Sequence, residues 1–168
     1  MTEPATSTVH ATCIRVGPFG VLITGPSGSG KSDLALRLID QPGRGAGGTV
    51  MDAVLIADDR VVLTARNGEL TATAPGAIKG LMEIRSVGVV AVPAETSTRV
   101  DLVVTLASDG DLERIPDFRT QTVDCCGIEL PELRIDPLEA SAPAKVRALV
   151  AALHGGGMAN EVPDGDGE

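Results

Sequence analysis

Residues 25 to 32 read Gly-Pro-Ser-Gly-Ser-Gly-Lys-Ser, which fits the pattern G-x-x-x-x-G-K-S. The apolar run Val21-Leu-Ile-Thr24 precedes them, and a helical period of Leu34, Ala35, Leu38 and Ile39 follows. No other feature restricts the fold as much. A glycine-rich loop in this context joins a buried strand to a helix and lets backbone N–H groups converge on phosphate at the positive end of the helix dipole. Gly25, Pro26, Ser27, Gly28, Ser29 and Gly30 are expected to wrap the phosphates of ATP. Lys31 is expected to reach the β- and γ-phosphates, and the Ser32 hydroxyl to hold Mg2+. The expected architecture is an α/β P-loop nucleotide-binding domain with a mixed, largely aliphatic β-sheet flanked by helices; Phe19 and Phe118 are the only aromatics in 168 residues. The loop specifies a nucleotide but not what accepts its phosphate.

The bulk properties remove several acceptors. A net charge of −9, with no run of Lys and Arg, excludes a nucleic-acid partner and an anionic membrane surface. No apolar stretch approaches the roughly 18 residues of a membrane span, and the polar start MTEPATST is no secretory signal, so a cytoplasmic protein is expected. Cys13, Cys125 and Cys126 provide neither a disulfide framework nor paired zinc spacing, and are read as small core residues.

Along the chain, residues 1–8 are expected to be disordered, 9–154 to form one catalytic domain, and the acidic tail 155–168 to be disordered. Residues 9–16 and 21–24 read as a hairpin leading into the P-loop. The glycine-rich stretch 41–50 reads as a mobile surface loop. Val54-Leu-Ile-Ala57 reads as a buried strand, and Asn67-Gly68 joins two alternating runs, 60–66 and 69–73, as a hairpin. Residues 77–85 stay ambiguous between helix and strand. Strands are expected at 87–92, 100–106, 119–123 and 132–135, with a polar loop over 108–117 and a last helix from Ser141-Ala-Pro to about His154.

Phosphoryl transfer to a hydroxyl needs acidic groups beyond the P-loop, for the metal and for the acceptor proton. Asp58-Asp59 ends the strand 54–57, as a Walker B acid does. If the strand continued, the two side chains would point to opposite faces, and at most one would face the phosphates. A plain turn into the hairpin fits the pair equally well.

Four segments together resemble the catalytic domain of the HPr kinase/phosphorylase family, bacterial enzymes that phosphorylate a serine of the phosphocarrier HPr. They are Val9-His10, Leu55-Ile-Ala-Asp-Asp-Arg-Val61, Leu81-Met-Glu-Ile-Arg-Ser-Val-Gly88 and Glu113-Arg-Ile115. The resemblance implies Asp59 as the base that deprotonates the acceptor serine, with His10 beside it and Asp58 at the nucleotide. It also implies Glu83 with Ser32 around Mg2+, Arg85 near the transferring phosphate, and Arg114 as a charge-stabilising arginine, for which Arg119 and Arg99 compete. The partner implied is HPr or an HPr-like phosphocarrier, and the family's hexamers suggest a homo-oligomer.

Departures from the family pattern carry expectations of their own. The family's N-terminal domain is missing from this sequence, and the connection over 41–50 is longer than the pattern suggests. An R-P-G-R-N segment near the family's C-terminus, tied to dephosphorylation by phosphate, is replaced by Ala142-Pro-Ala-Lys-Val146. Weak or absent phosphorolysis is therefore expected. The competing readings are a P-loop kinase for a small metabolite, with 41–50 as its lid, and a non-catalytic ATP-dependent binding module.

Overall fold

The structure is a computed structural model, and it describes residues 3–155. The strands are β1 (Ala5–His10), β2 (Thr12–Val16), β3 (Phe19–Thr24), β4 (Ala53–Ala57), β5 (Arg60–Arg66), β6 (Glu69–Thr73), β7 (Leu81–Ile84), β8 (Gly88–Ala91), β9 (Ser97–Leu106), β10 (Thr122–Cys125) and β11 (Ile128–Ile135). The helices are α1 (Lys31–Asp40) and α2 (Ala142–Gly155).

Nine strands form one mixed sheet in the order β1-β5-β6-β9-β3-β2-β4, with β11 and then β10 joined at β9. The β3–β9 and β9–β11 pairs are parallel, and the remaining pairs are antiparallel. The ten-residue β9 makes the sheet curl. Its first residues, Ser97 to Arg99, pair with β6, whereas Val100 to Thr105 pair with β3.

Alternation along the central strands feeds two cores. Val21 and Ile23 of β3, with Leu102 and Val104 of β9, pack under Leu34 and Leu38 of α1 and Val146 and Val150 of α2. Leu22 and Val103 point the other way, into a second cluster with Ile56, Val61, Leu63 and Leu70. Both faces of β3 are thus covered, which is why its sequence is an unbroken apolar run. Each fully buried Leu or Ile contributes roughly 1.5–3 kcal/mol, so the strand that delivers the P-loop is among the most firmly held parts of the chain.

Four expectations need correction. Residues 5–8, expected to be disordered, belong to β1, which pairs with β5 from Ala5↔Ala65 to His10↔Arg60. Over residues 5–8 the strand is held by backbone pairing with its side chains exposed, and only Val9 beyond them packs against the second core, so no apolar alternation announced it. The strand read over 9–16 breaks at Ala11, where the chain leaves β5 for β3 and β4. The loop 41–50 lies at the surface without regular structure, as expected, but it is tied down rather than loose: Gly43 and Met51 exchange both backbone hydrogen bonds, and Gly45 lies against α2. A Cβ at Gly45 would sit 2.2 Å from Arg147 C and Ala148 N, a contact only glycine allows. Finally, the strand read at 119–123 is shifted to β10, because 119 and 120 lie in a turn held by Asp117.

The remaining elements match their reading to within a few residues. Asn67 and Gly68 turn with φ of 53° and 78°, as a type I′ hairpin requires. Cys126 and Gly127 make a second such turn, between β10 and β11 (φ 57° and 82°). Residues 77–85, left ambiguous, end a short 3-10 turn and form β7. Cys13 is fully buried, which pushes its thiol pKa far up, while Cys125 and Cys126 are half-buried and free. The acidic tail from 156 onward lies outside the described residues.

Candidate active site

Direction of the strands decides what meets the P-loop. β4 runs antiparallel to β2, and β2 antiparallel to β3, so β4 ends on the same side of the sheet as β3. Ligand sites in such sheets lie beyond the carboxyl ends of the strands. Here β3 delivers the P-loop to that edge and β4 delivers Asp58 and Asp59 beside it.

Residues 25–30 turn from β3 into α1, and Gly30 caps the helix with φ 102°, a left-handed conformation that suits glycine. Lys31, the first helical residue, is 6% exposed. Its Nζ donates to the carbonyls of Gly25 and Pro26 at 2.9 Å each, so the ammonium lies folded over the loop. The Ser29 hydroxyl oxygen is buried without a hydrogen-bond partner among the described residues. An orphaned donor and an ammonium satisfied only by carbonyls are what an anion in the loop would engage.

The strand ends at Ala57, and the two aspartates part company. Asp58 is 6% exposed, and its Oδ1 accepts from Ser32 Oγ at 2.7 Å and from Thr12 Oγ1 at 3.0 Å. Asp59 takes a left-handed φ of 65° and its side chain swings out to 67% exposure, with Oδ1 3.3 Å from His10 Nδ1. Its backbone is held by Ala11, whose N–H donates to the Asp59 carbonyl. Three consecutive residues, His10, Ala11 and Thr12, therefore fix two consecutive aspartates in different surroundings.

A cleft of about 600 Å³ joins these groups, lined by His10, Thr12, the P-loop residues Ser27, Gly28, Gly30, Lys31 and Ser32, both aspartates, and Glu83, Ile84 and Arg85. The last three come from β7 and the turn after it, so the two-stranded β7–β8 unit forms the wall facing the P-loop. Glu83 and Arg85 are exposed in that wall.

Arg114 is not brought there. It lines a second cleft, between the 112–118 segment and α2, together with Arg134 and Lys145. Neither competitor replaces it: Arg99 is ion-paired with Asp101 and Glu69, and Arg119 with Asp117. Thr12 is the site residue that sequence reasoning missed. Its only signal was a hydroxyl within the apolar run 9–16.

No cluster of three His, Cys, Asp or Glu suited to a metal occurs among the described residues. Ser32 is the P-loop side chain that would meet a cation here. The geometry fits one: because Ser32 gives its proton to Asp58, its oxygen lone pairs are what it has left to offer a cation. No helix of the described residues is long and apolar enough to cross a membrane.

Comparison with known proteins adds the lineage. Residues 3–153 match the family model for the HPr Serine kinase C-terminal domain. The HPr kinase/phosphorylase of Lactobacillus acidophilus is 30% identical over 159 residues, covering 88% of this chain and 46% of that protein. The HPr kinase/phosphorylase of Bordetella pertussis is 37% identical over 166 residues, covering 88% and 47%. The chain thus spans about half the length of these curated relatives. The solved HPr(Ser) kinase/phosphatase from Coxiella burnetii superimposes with a TM-score of 0.72 at 26% identity, over 88% of this chain and 96% of that one. Sequence and fold agree, and the chain belongs to the HPr serine kinase C-terminal domain family.

Proposed function

We propose that the chain is an ATP-dependent kinase that phosphorylates a serine of HPr or an HPr-like phosphocarrier in the cytoplasm. The observation that carries this is the pair Asp58 and Asp59: one carboxylate buried on the P-loop serine, its neighbour exposed at the cleft mouth beside His10. A metal-side acid and an acceptor-side base are the two acids that hydroxyl phosphorylation requires.

The P-loop amides and Lys31 would hold the phosphates, Lys31 exchanging two carbonyl partners for charged oxygens. Ser32 and Glu83 would hold Mg2+ with Asp58 behind Ser32, and the ion would offset charge developing on the transferred group. Asp59 would take the proton of the attacking serine hydroxyl, with His10 holding that carboxylate in place. Arg85, on the opposite wall, would face the phosphate.

The reverse reaction should be feeble. The stretch Ala142 to Val146 opens α2, with Ala142 and Val146 buried and Lys145 ion-paired to Glu139, so no unpaired cation is left there to receive inorganic phosphate. A small-metabolite kinase is disfavoured because residues 41–50, the segment expected as its lid, pack on α2 and are not among the residues lining the cleft. Incubation with ATP, Mg2+ and purified HPr should give phosphoserine on HPr, and its absence would refute the kinase assignment. Efficient pyrophosphate release from phosphorylated HPr in the presence of phosphate would refute the one-way character.

A further inference from the structure

Thr12 is wholly buried, at a strand position where the isosteric valine would bring no hydroxyl to satisfy. A hydroxyl at such a site costs stability unless it is bonded, and the partner of this one is a carboxylate that is itself withdrawn from water. Ser32 and Thr12 donate to the same oxygen, Asp58 Oδ1, from two different elements, α1 and β2. The carboxylate cannot rotate without breaking both bonds. Asp58 Oδ2 receives no donor among the described residues.

We propose that Thr12 is a positioning residue: its hydroxyl fixes the Asp58 carboxylate so that the Ser32 proton is drawn away from the phosphate side and the Ser32 oxygen is presented to the cation. The inference rests on the nucleotide site proposed above. Thr12 acts through Asp58 on Ser32. With Thr12 unable to donate, Asp58 keeps one donor and gains a rotational freedom, and Ser32 loses its fixed orientation. Groups that orient a metal ligand from behind typically influence metal affinity by about 10- to 100-fold when removed.

The test is the strengthening of ATP binding by Mg2+, measured by calorimetry with and without the ion on the full chain and on two variants. Thr12→Val removes the donor at constant volume, and Thr12→Ser keeps it. In the wild type, Mg2+ should strengthen ATP binding; in Thr12→Val that gain should fall about tenfold, while binding of metal-free ATP stays close to wild type. Thr12→Ser should retain most of the gain. An undiminished gain in Thr12→Val would overturn the proposal, as would an equal loss in Thr12→Ser, which would make the methyl group the active part. Equal weakening of metal-free ATP binding in Thr12→Val would also overturn it, since that marks general damage to the site. Failure of the nucleotide assignment itself is distinguishable: the wild type would then bind ATP in neither condition.

Discussion

At the P-loop end of the cleft, Lys31 and Asp58 are nearly withdrawn from water and locked by hydrogen bonds to the loop carbonyls, Ser32 and Thr12. At the other end, Asp59 and His10 are 67% and 49% exposed, held to each other and to the edge of the sheet. The first end rests on β3 and α1, packed on both sides; the second rests on the tip of an outer strand and on a small two-stranded unit. On the proposed function, the buried end would be preorganised for phosphate, a group that is always the same, and the open end would suit a hydroxyl carried on a large partner.

That contrast can be broken at chosen places. Lys31→Ala should have the largest effect, a loss of transfer of roughly a thousandfold together with weaker ATP binding, read by phosphoserine formation and nucleotide titration. Transfer within tenfold of wild type would mean that the buried end is not where phosphate sits. His10→Ala should act at the open end alone, lowering the turnover number about tenfold with ATP affinity unchanged. A matching fall in ATP affinity would erase the distinction between the ends.

Arg147→Ala should leave the site chemistry intact and lower stability by about 1–3 kcal/mol in chemical denaturation. Arg147 is buried on α2, donates to the Leu38 carbonyl near the end of α1, and lies against Gly43. Unchanged stability would show that α2 does not secure the P-loop helix. Arg114→Ala, in the second cleft, should change transfer by no more than about twofold, since substitutions away from a site seldom exceed 0.5 kcal/mol. A hundredfold loss would place that arginine in the reaction after all.

The P-loop end was readable in the sequence because its signal is local: loop, strand and helix are consecutive, and each has its own period. The open end was legible only through the family resemblance, which set His10 beside Asp59, where the structure has them 3.3 Å apart; local pattern did not show it, for particular reasons. Asp58 and Asp59 could not be told apart by strand alternation, because the strand stops at Ala57 and Asp59 turns through a positive φ. His10 and Thr12 reach them only because the run 9–16 breaks at Ala11, and the break follows from a change of partner strands that no local pattern encodes. Arg114 was placed at the site by resemblance to a short segment, without a positional constraint from the sheet. Glu83 and Arg85, supplied by the most specific of the family segments, do line the cleft.

The division of labour between the adjacent aspartates is tested most directly by Asp59→Asn. ATP affinity in the presence of Mg2+ and serine phosphorylation of HPr should be measured on the same preparation. Affinity within about twofold of wild type, with transfer reduced by roughly 10²- to 10⁴-fold, is the expected result. Transfer that survives in Asp59→Asn, or ATP affinity that collapses with it, would contradict the assignment of Asp58 to the nucleotide and Asp59 to the acceptor.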